Sequence, residues 1–305
     1  MRRQLIFRIC LLVLCCLLFR PLQTSAAPLE PDRECSLTLS YAMDGQGFSG
    51  VEIRIYRVAQ AFPDGSYQLM APFASYPVNI YGITSQKEWK DTATTLTAYI
   101  AANQDQPYRT AETNESGAAA FTGLETGLYL VSGAVVENDS GTYIFDDFMV
   151  YLPTPQEDGT FAYDVEAKPK CASFVPKTEY KILKLWKDAG NSGARPKSVT
   201  IDILKDGVLQ ETVLLSTENN WSYTWKVSAD DRGKWSVVEQ NVPDSYKVTV
   251  SESAGTFTVT NTREADPGTP PKTGDSFAFW PWVMSFCLSG SLLVLLGFYQ
   301  KRKHP

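Results

Sequence analysis

Between residues 180 and 262 the sequence breaks into short runs that alternate apolar with polar side chains, separated by turn residues. The runs are 180–186, 198–205, 210–215, 222–227, 235–239, 246–250 and 256–262. Side chains on a strand alternate with period two, and strands of this length and spacing build a β-sandwich. Asp206-Gly207, between two of the runs, is a hairpin signal. Three runs carry a polar residue on their apolar face. Ile182, Lys184 and Trp186 share one face; so do Trp235, Val237 and Glu239, and so do Phe257, Val259 and Asn261. A lone charge in a core is costly, so these three are expected to meet one another. Burial favours the neutral amine of Lys184 and the protonated acid of Glu239. The amine can then attack the side-chain carbonyl of Asn261 while Glu239 polarises it and shuttles protons, leaving an isopeptide bond and free ammonia. Fixed neighbours supply the effective concentration that amides in solution lack. The plainer reading is a Lys–Glu ion pair beside a hydrogen-bonded Asn, with no covalent change. Lys181 is a poor substitute for Lys184, because its odd spacing puts it on the face opposite Trp186.

The 305 residues leave room for about two domains. A net charge of −6 gives no reason to expect nucleic acid. Of six cysteines, only Cys35 and Cys171 lie outside the two apolar ends, so the chain is no disulfide scaffold. The single histidine is His304. That removes a His-based triad and any His-containing zinc site upstream, so neither turnover catalysis, nor a metal, nor a cofactor is expected. The only catalysis anticipated is the single self-reaction.

Upstream, residues 36–41, 51–58, 118–121, 127–131, 143–152 and 161–167 read as strands. Between 84 and 103 the period changes: Thr84-Ser85 can cap a helix with Trp89, Thr92, Leu96, Tyr99 and Ile100 at three-to-four spacing. This predicts a mainly β first domain over 35–170, a sandwich with a helical insert. A linker over 171–179 follows, with a second sandwich over 180–263. Cys35 precedes the first strand of the first domain and Cys171 follows its last.

The two ends carry topology. Arg2, Arg3 and Arg8 precede an apolar stretch over 9–19 and then Thr24-Ser25-Ala26-Ala27, a secretory signal peptide over 1–27. A lipobox at Cys15 or Cys16 fails because Leu14 and Cys15 stand where a small residue is expected. At the other end, residues 276–300 are apolar and long enough for a transmembrane helix. Lys301, Arg302 and Lys303 in the tail over 301–305 stay cytoplasmic. Everything between is therefore outside the cell.

Several motifs carry a family resemblance. Pro271-Lys272-Thr273-Gly274, at the end of a linker over 264–275, stands before the apolar span and basic tail. It resembles the Leu-Pro-x-Thr-Gly sorting signal of Gram-positive wall-anchored proteins, with Pro270 where Leu is usual. The resemblance implies that a sortase cysteine attacks the Thr273 carbonyl, Gly274 leaves, and the acyl group passes to a peptidoglycan or pilin amine. In the second domain, Lys184-Leu185-Trp186-Lys187-Asp188, Arg195-Pro196-Lys197-Ser198-Val199, Asn219-Asn220-Trp221, Val238-Glu239-Gln240-Asn241-Val242-Pro243 and Val259-Thr260-Asn261-Thr262 are similar to the motifs of CnaB-type domains. In the first domain, Gly123-Leu124-Glu125-Thr126-Gly127-Leu128-Tyr129 and Phe148-Met149-Val150-Tyr151-Leu152-Pro153-Thr154 resemble Gram-positive backbone pilins. In those pilins a lysine after the last strand accepts the next subunit. The matching position is Lys170 in Lys168-Pro169-Lys170-Cys171, without the usual tyrosine and asparagine. The family's cross-link has no lysine in the first domain, where Tyr41 takes the position, and no glutamate, where Gly133 does. The resemblance also makes the first and last strands parallel, which separates Cys35 from Cys171 beyond disulfide reach.

The expectation is thus two tandem CnaB, Ig-like β-sandwiches between a signal peptide and a membrane helix. The chain would be a pilin-like subunit or wall-anchored stalk, on the membrane before sorting and in the Gram-positive wall afterwards. The alternative is an adhesin for a host or matrix ligand, with the first domain as head and contacts around residues 84–112.

Overall fold

Alternation in the sequence becomes alternation in burial. The strand Cys35–Ser40 buries every second residue, and Glu179–Lys187 follows the same rule from Tyr180 to Lys184. The computed structural model describes residues 29–188, 193 and 195–263. The expected signal peptide, sorting motif, membrane helix and tail lie outside the described residues. Among the described residues, no helix is long and apolar enough to cross a membrane.

The first sandwich has one sheet of Asp164–Ala167, Cys35–Ser40 and Ala118–Leu124, in which the first two strands run parallel. A second sheet orders Phe148–Leu152, Gly127–Val131, Glu52–Ala61 and Tyr67–Leu69, and Arg109–Glu112 pairs with the start of Glu52–Ala61. Leu37, Leu39, Ile53, Ile55, Phe121, Tyr129 and Val131 share one core. A third, small sheet joins Val135–Asn138, Gly141–Phe145 and Cys171–Ser173. Two expectations change here. The run over 143–152 is two strands, because the chain turns at Asp146-Asp147, where the buried Asp147 carboxylate accepts from the Gly133 N–H at 2.7 Å. The stretch read as a linker from 171 begins as a strand of this small sheet.

Cys35 and Cys171 are both free thiols. Cys35 is buried opposite Leu124, whereas Cys171 pairs with Phe145 in the small sheet.

The helix Gln86–Asn103 starts at a capping box: Ser85 Oγ accepts from the Glu88 N–H, and the Glu88 carboxylate accepts from the Ser85 N–H. Its buried residues, Thr92, Ala93, Thr95, Leu96, Ala98, Tyr99 and Ile100, cover more than one stripe. A helix with so wide a buried surface is covered on more than one side. The reason is visible in the cores. Gly127–Val131 is buried at every position, with Tyr129 and Val131 in the first core. Leu128 and Leu130 join the helix in a second cluster that continues through Val237, Val248 and Val259 of the other sandwich. The expected helical insert of the first domain is packed between the two sandwiches.

The second sandwich pairs a sheet of Ser222–Lys226, Glu179–Lys187, Thr256–Arg263 and Tyr246–Ser253 with one of Val208–Ser216, Ser198–Lys205 and Trp235–Gln240. Its first and last strands run parallel, with Ile182 opposite Phe257 and Lys184 opposite Val259. Asp206 and Gly207 both adopt positive φ, the requirement of a two-residue hairpin whose twist matches its strands. Residues 29–263 fall within one compact unit.

Candidate functional site: a buried lysine, glutamate and asparagine

The three polar residues predicted to meet do so. Lys184 is on the first strand of the second sandwich, Asn261 on the last, and Glu239 on Trp235–Gln240 in the facing sheet. All three are buried, at 5%, 0% and 1% exposure respectively. Parallel pairing of the first and last strands sets Lys184 and Asn261 on one face, two residues apart in register, because Asn261 lies opposite Trp186. Glu239 reaches both from across the core. One carboxylate oxygen, Oε1, accepts from Asn261 Nδ2 at 2.7 Å, and the other, Oε2, stands 3.4 Å from Lys184 Nζ.

The electrostatics suit proton transfer. Burial pulls the Lys184 amine down to about 8, only partly opposed by the Glu239 carboxylate, and burial pushes the Glu239 carboxyl up. Both shifts favour uncharged partners. Lys184 Nζ also donates to the carbonyls of Leu185 at 3.1 Å and Val259 at 3.3 Å, and lies 4.2 Å from the centre of the Trp186 ring. These contacts hold the amine in place. Asn261 Oδ1 is buried with no hydrogen-bond partner among the described residues, a costly condition for a carbonyl oxygen. A half-turn of the amide brings Oδ1 to Glu239, where a protonated carboxyl donates to it.

Other motif residues support this cluster. Asp188, at the end of the Lys184 strand, accepts two hydrogen bonds from the Arg195 guanidinium, at 2.6 and 2.8 Å, and one from the Tyr246 hydroxyl at 3.3 Å. The Trp186 ring packs edge-on against Trp221 and Tyr246. Lys181 is exposed, as its spacing required.

In the first sandwich the equivalent places are shut. Tyr41 is fully buried with its ring 4.6 Å from that of Phe145. A Cβ at Gly133 would lie 2.2 Å from the Phe145 carbonyl oxygen, so no glutamate fits there. Lys170 is exposed, and its carbonyl accepts from the Asp146 N–H at 2.9 Å. It belongs to the first sandwich and is not part of the buried cluster. Thr273 and its neighbours Pro271, Lys272 and Gly274 lie outside the described residues.

Pattern reading missed the groups that tie the helix to this site. The Tyr99 hydroxyl donates to the backbone carbonyl of Glu239 at 2.7 Å, and Thr95 Oγ1 accepts from the Val250 N–H at 2.8 Å. Lys234 of the second sandwich donates to both carboxylate oxygens of Asp147 of the first, each at 2.9 Å. Tyr99 was legible only as one apolar position on a helix, since its spacing says nothing about which strand lies opposite.

The second sandwich thus combines parallel first and last strands with a buried Lys–Glu–Asn cluster, the features its motifs led one to expect of a CnaB-type domain. Residues 180–262, which are nearly all of the second sandwich, match the family model described as the Cna protein B-type domain. Among curated proteins, a collagen adhesin of Staphylococcus aureus is 27% identical over 101 residues, which are 32% of this chain and 8% of that protein. The chain thus spans only a small part of that relative. Among solved structures, a single B repeat unit of the Staphylococcus aureus collagen-binding surface protein shares 14% identity over 76% of this chain and 99% of that one, with a TM-score of 0.27. The full-length major pilin SpaD of Corynebacterium diphtheriae shares 11% over 79% and 100%, with a TM-score of 0.30. The T6 backbone pilin of Streptococcus pyogenes shares 12% over 58% and 40%, with a TM-score of 0.33.

Proposed function

We propose that this chain is a structural surface protein of a Gram-positive bacterium, a pilin-like subunit or wall-anchored stalk. A sortase would attach it through Thr273, and a Lys184–Asn261 isopeptide bond would harden its second sandwich. The observation that carries this reading is the Glu239 carboxylate lying between a buried lysine and a buried asparagine.

The reaction balances without an outside reagent. Glu239 takes a proton from the Lys184 ammonium, leaving a neutral amine and a neutral acid. The amine lone pair forms a bond to Cγ of Asn261 while the Glu239 proton supports the developing charge on Oδ1. The new bond's nitrogen then passes its extra proton through Glu239 to Nδ2, the Cγ–Nδ2 bond breaks, and ammonia departs. The proton first taken from the Lys184 ammonium remains on Glu239 and leaves with the ammonia as ammonium, which restores the carboxylate, although each chain reacts once.

The test is the intact mass of the chain without its two apolar ends, beside Glu239→Ala. The native chain is expected to be lighter than its calculated mass by one ammonia, and the variant to carry the full mass. Full mass in both would reduce the cluster to a structural polar group. The adhesin alternative places ligand contacts around residues 84–112. The helix in that stretch buries Thr92, Ala93, Thr95, Leu96, Ala98, Tyr99 and Ile100 between the sandwiches, and the loss of that surface to a ligand favours the stalk.

A further inference from the structure

The two strands that border the reactive cluster on one side are sheet edges. Trp235–Gln240, carrying Glu239, ends one sheet of the second sandwich, and Tyr246–Ser253 ends the other. Each edge leaves backbone groups without a ladder partner, and such groups are costly to bury unsatisfied. The first sandwich supplies the partners. The Tyr99 hydroxyl donates to the Glu239 carbonyl at 2.7 Å. The Pro77 carbonyl accepts from the Val248 N–H at 2.6 Å, and Thr95 Oγ1 accepts from the Val250 N–H at 2.8 Å.

The registers matter. Val248 is the residue directly opposite Asn261, and Val250 is opposite Val259, whose carbonyl takes a hydrogen bond from Lys184 Nζ. The segment 77–99 therefore holds one edge at the general acid itself and the other edge beside the electrophile and the amine. Thr95 and Leu96 have no exposed surface, Tyr99 is buried, and Leu96 shares a continuous apolar cluster with Val237, Val238, Val248 and Val250. That layer keeps water from the same side of the site.

We propose that Tyr99 and Thr95 are positioning residues for cross-link formation, so that the second sandwich reacts at full rate only when the helix of the first is docked on it. This rests on the cross-link reading above and adds a dependence on the first sandwich. Neither residue touches the reacting atoms; Tyr99 acts through the backbone of Glu239, and Thr95 through the strand that pairs with Asn261. A docked helix fixes the spacing between the two sheets, and a small misplacement of an acid or electrophile is enough to slow an intramolecular reaction. The arrangement also orders assembly, because the covalent bond is made after the two sandwiches have come together.

The experiment follows ammonia loss in time. The chain without its apolar ends is made in a short pulse of cell-free synthesis, quenched in denaturant at intervals and weighed intact. Native chain, Tyr99→Phe, Thr95→Val and a control, Leu39→Ala, are compared at a temperature where circular dichroism shows each one folded. Leu39 lies in the separate core of the first sandwich, so its loss weakens the fold without touching either edge. Tyr99→Phe and Thr95→Val are each expected to slow ammonia loss roughly three- to tenfold, the effect of one hydrogen bond, while Leu39→Ala keeps the native rate. Equal rates in native chain and both edge variants would overturn the positioning role while leaving the cross-link intact. Equal slowing by Leu39→Ala would overturn it too, by tracing the effect to general stability. No ammonia loss in the native chain would remove the cross-link and, with it, any role in forming it.

Discussion

Lys184 is the residue on which the proposed cross-linking turns, because an amine must lose its charge before it can attack. Burial supplies that change, and a cross-link-blocked variant makes it measurable. In Glu239→Gln the lysine stays in the core without its carboxylate partner. With Glu239 present the folded-state value is already about 8, against 10.5 for a free lysine, and loss of the carboxylate removes what held it up. Between those values the unfolded chain holds a proton that the folded chain has released. Stability therefore rises with pH across this window and is level above it. Measured as urea midpoints, Glu239→Gln should trail Lys184→Met/Glu239→Gln near neutral pH, and the gap should close towards about pH 10. A gap that does not move with pH would mean that Lys184 is not an unwillingly charged group. The identities in this cluster were legible because period two assigns each to an apolar face. The Asp188–Arg195–Tyr246 group was legible only as motif letters, since no periodicity tells which side chains meet at the end of a strand.

At the scale of elements, the cross-link would join the first strand of the second sandwich to its last. Loop-closure entropy sets the size of the effect, as for a disulfide spanning a similar loop. Asn261→Ala should lower unfolding free energy by about 4–5 kcal/mol, read as the denaturant midpoint together with a marked loss of protease resistance. An unchanged midpoint would show that the two strands are held by their hydrogen-bond ladder alone. The strands of this sandwich were legible nearly to their ends, and the helix to within two residues of its start. The break at Asp146-Asp147 was not, because an aspartate inside an apolar run looks the same whether it faces water or accepts from Gly133 and Lys234.

At the scale of the whole molecule, the two sandwiches share a helix, an apolar cluster and the Lys234–Asp147 ion pair. Pull along the chain would meet this joint as well as the two folds. Lys170 is exposed, and the proposed pilin reading would make it the acceptor that attacks an acyl-sortase. Co-expression with a cognate sortase should give a ladder of covalent multimers from the native chain and none from Lys170→Ala. A single wall-linked species from both would assign the chain to a non-polymerising stalk or adhesin.

The sequence by itself determined the strand periodicity, the capped helix, the three polar residues on apolar faces and the closed positions at Tyr41 and Gly133. Each depends on neighbours along the chain or on a motif in register, and such information is local. Only the tertiary structure decided that the helix lies between the sandwiches, that its Tyr99 hydroxyl meets the Glu239 carbonyl, and that the small sheet takes in Cys171–Ser173. Those outcomes depend on which surfaces meet between segments distant in the chain, 140 residues apart for Tyr99 and Glu239. An apolar face records that it must be covered, but not by what.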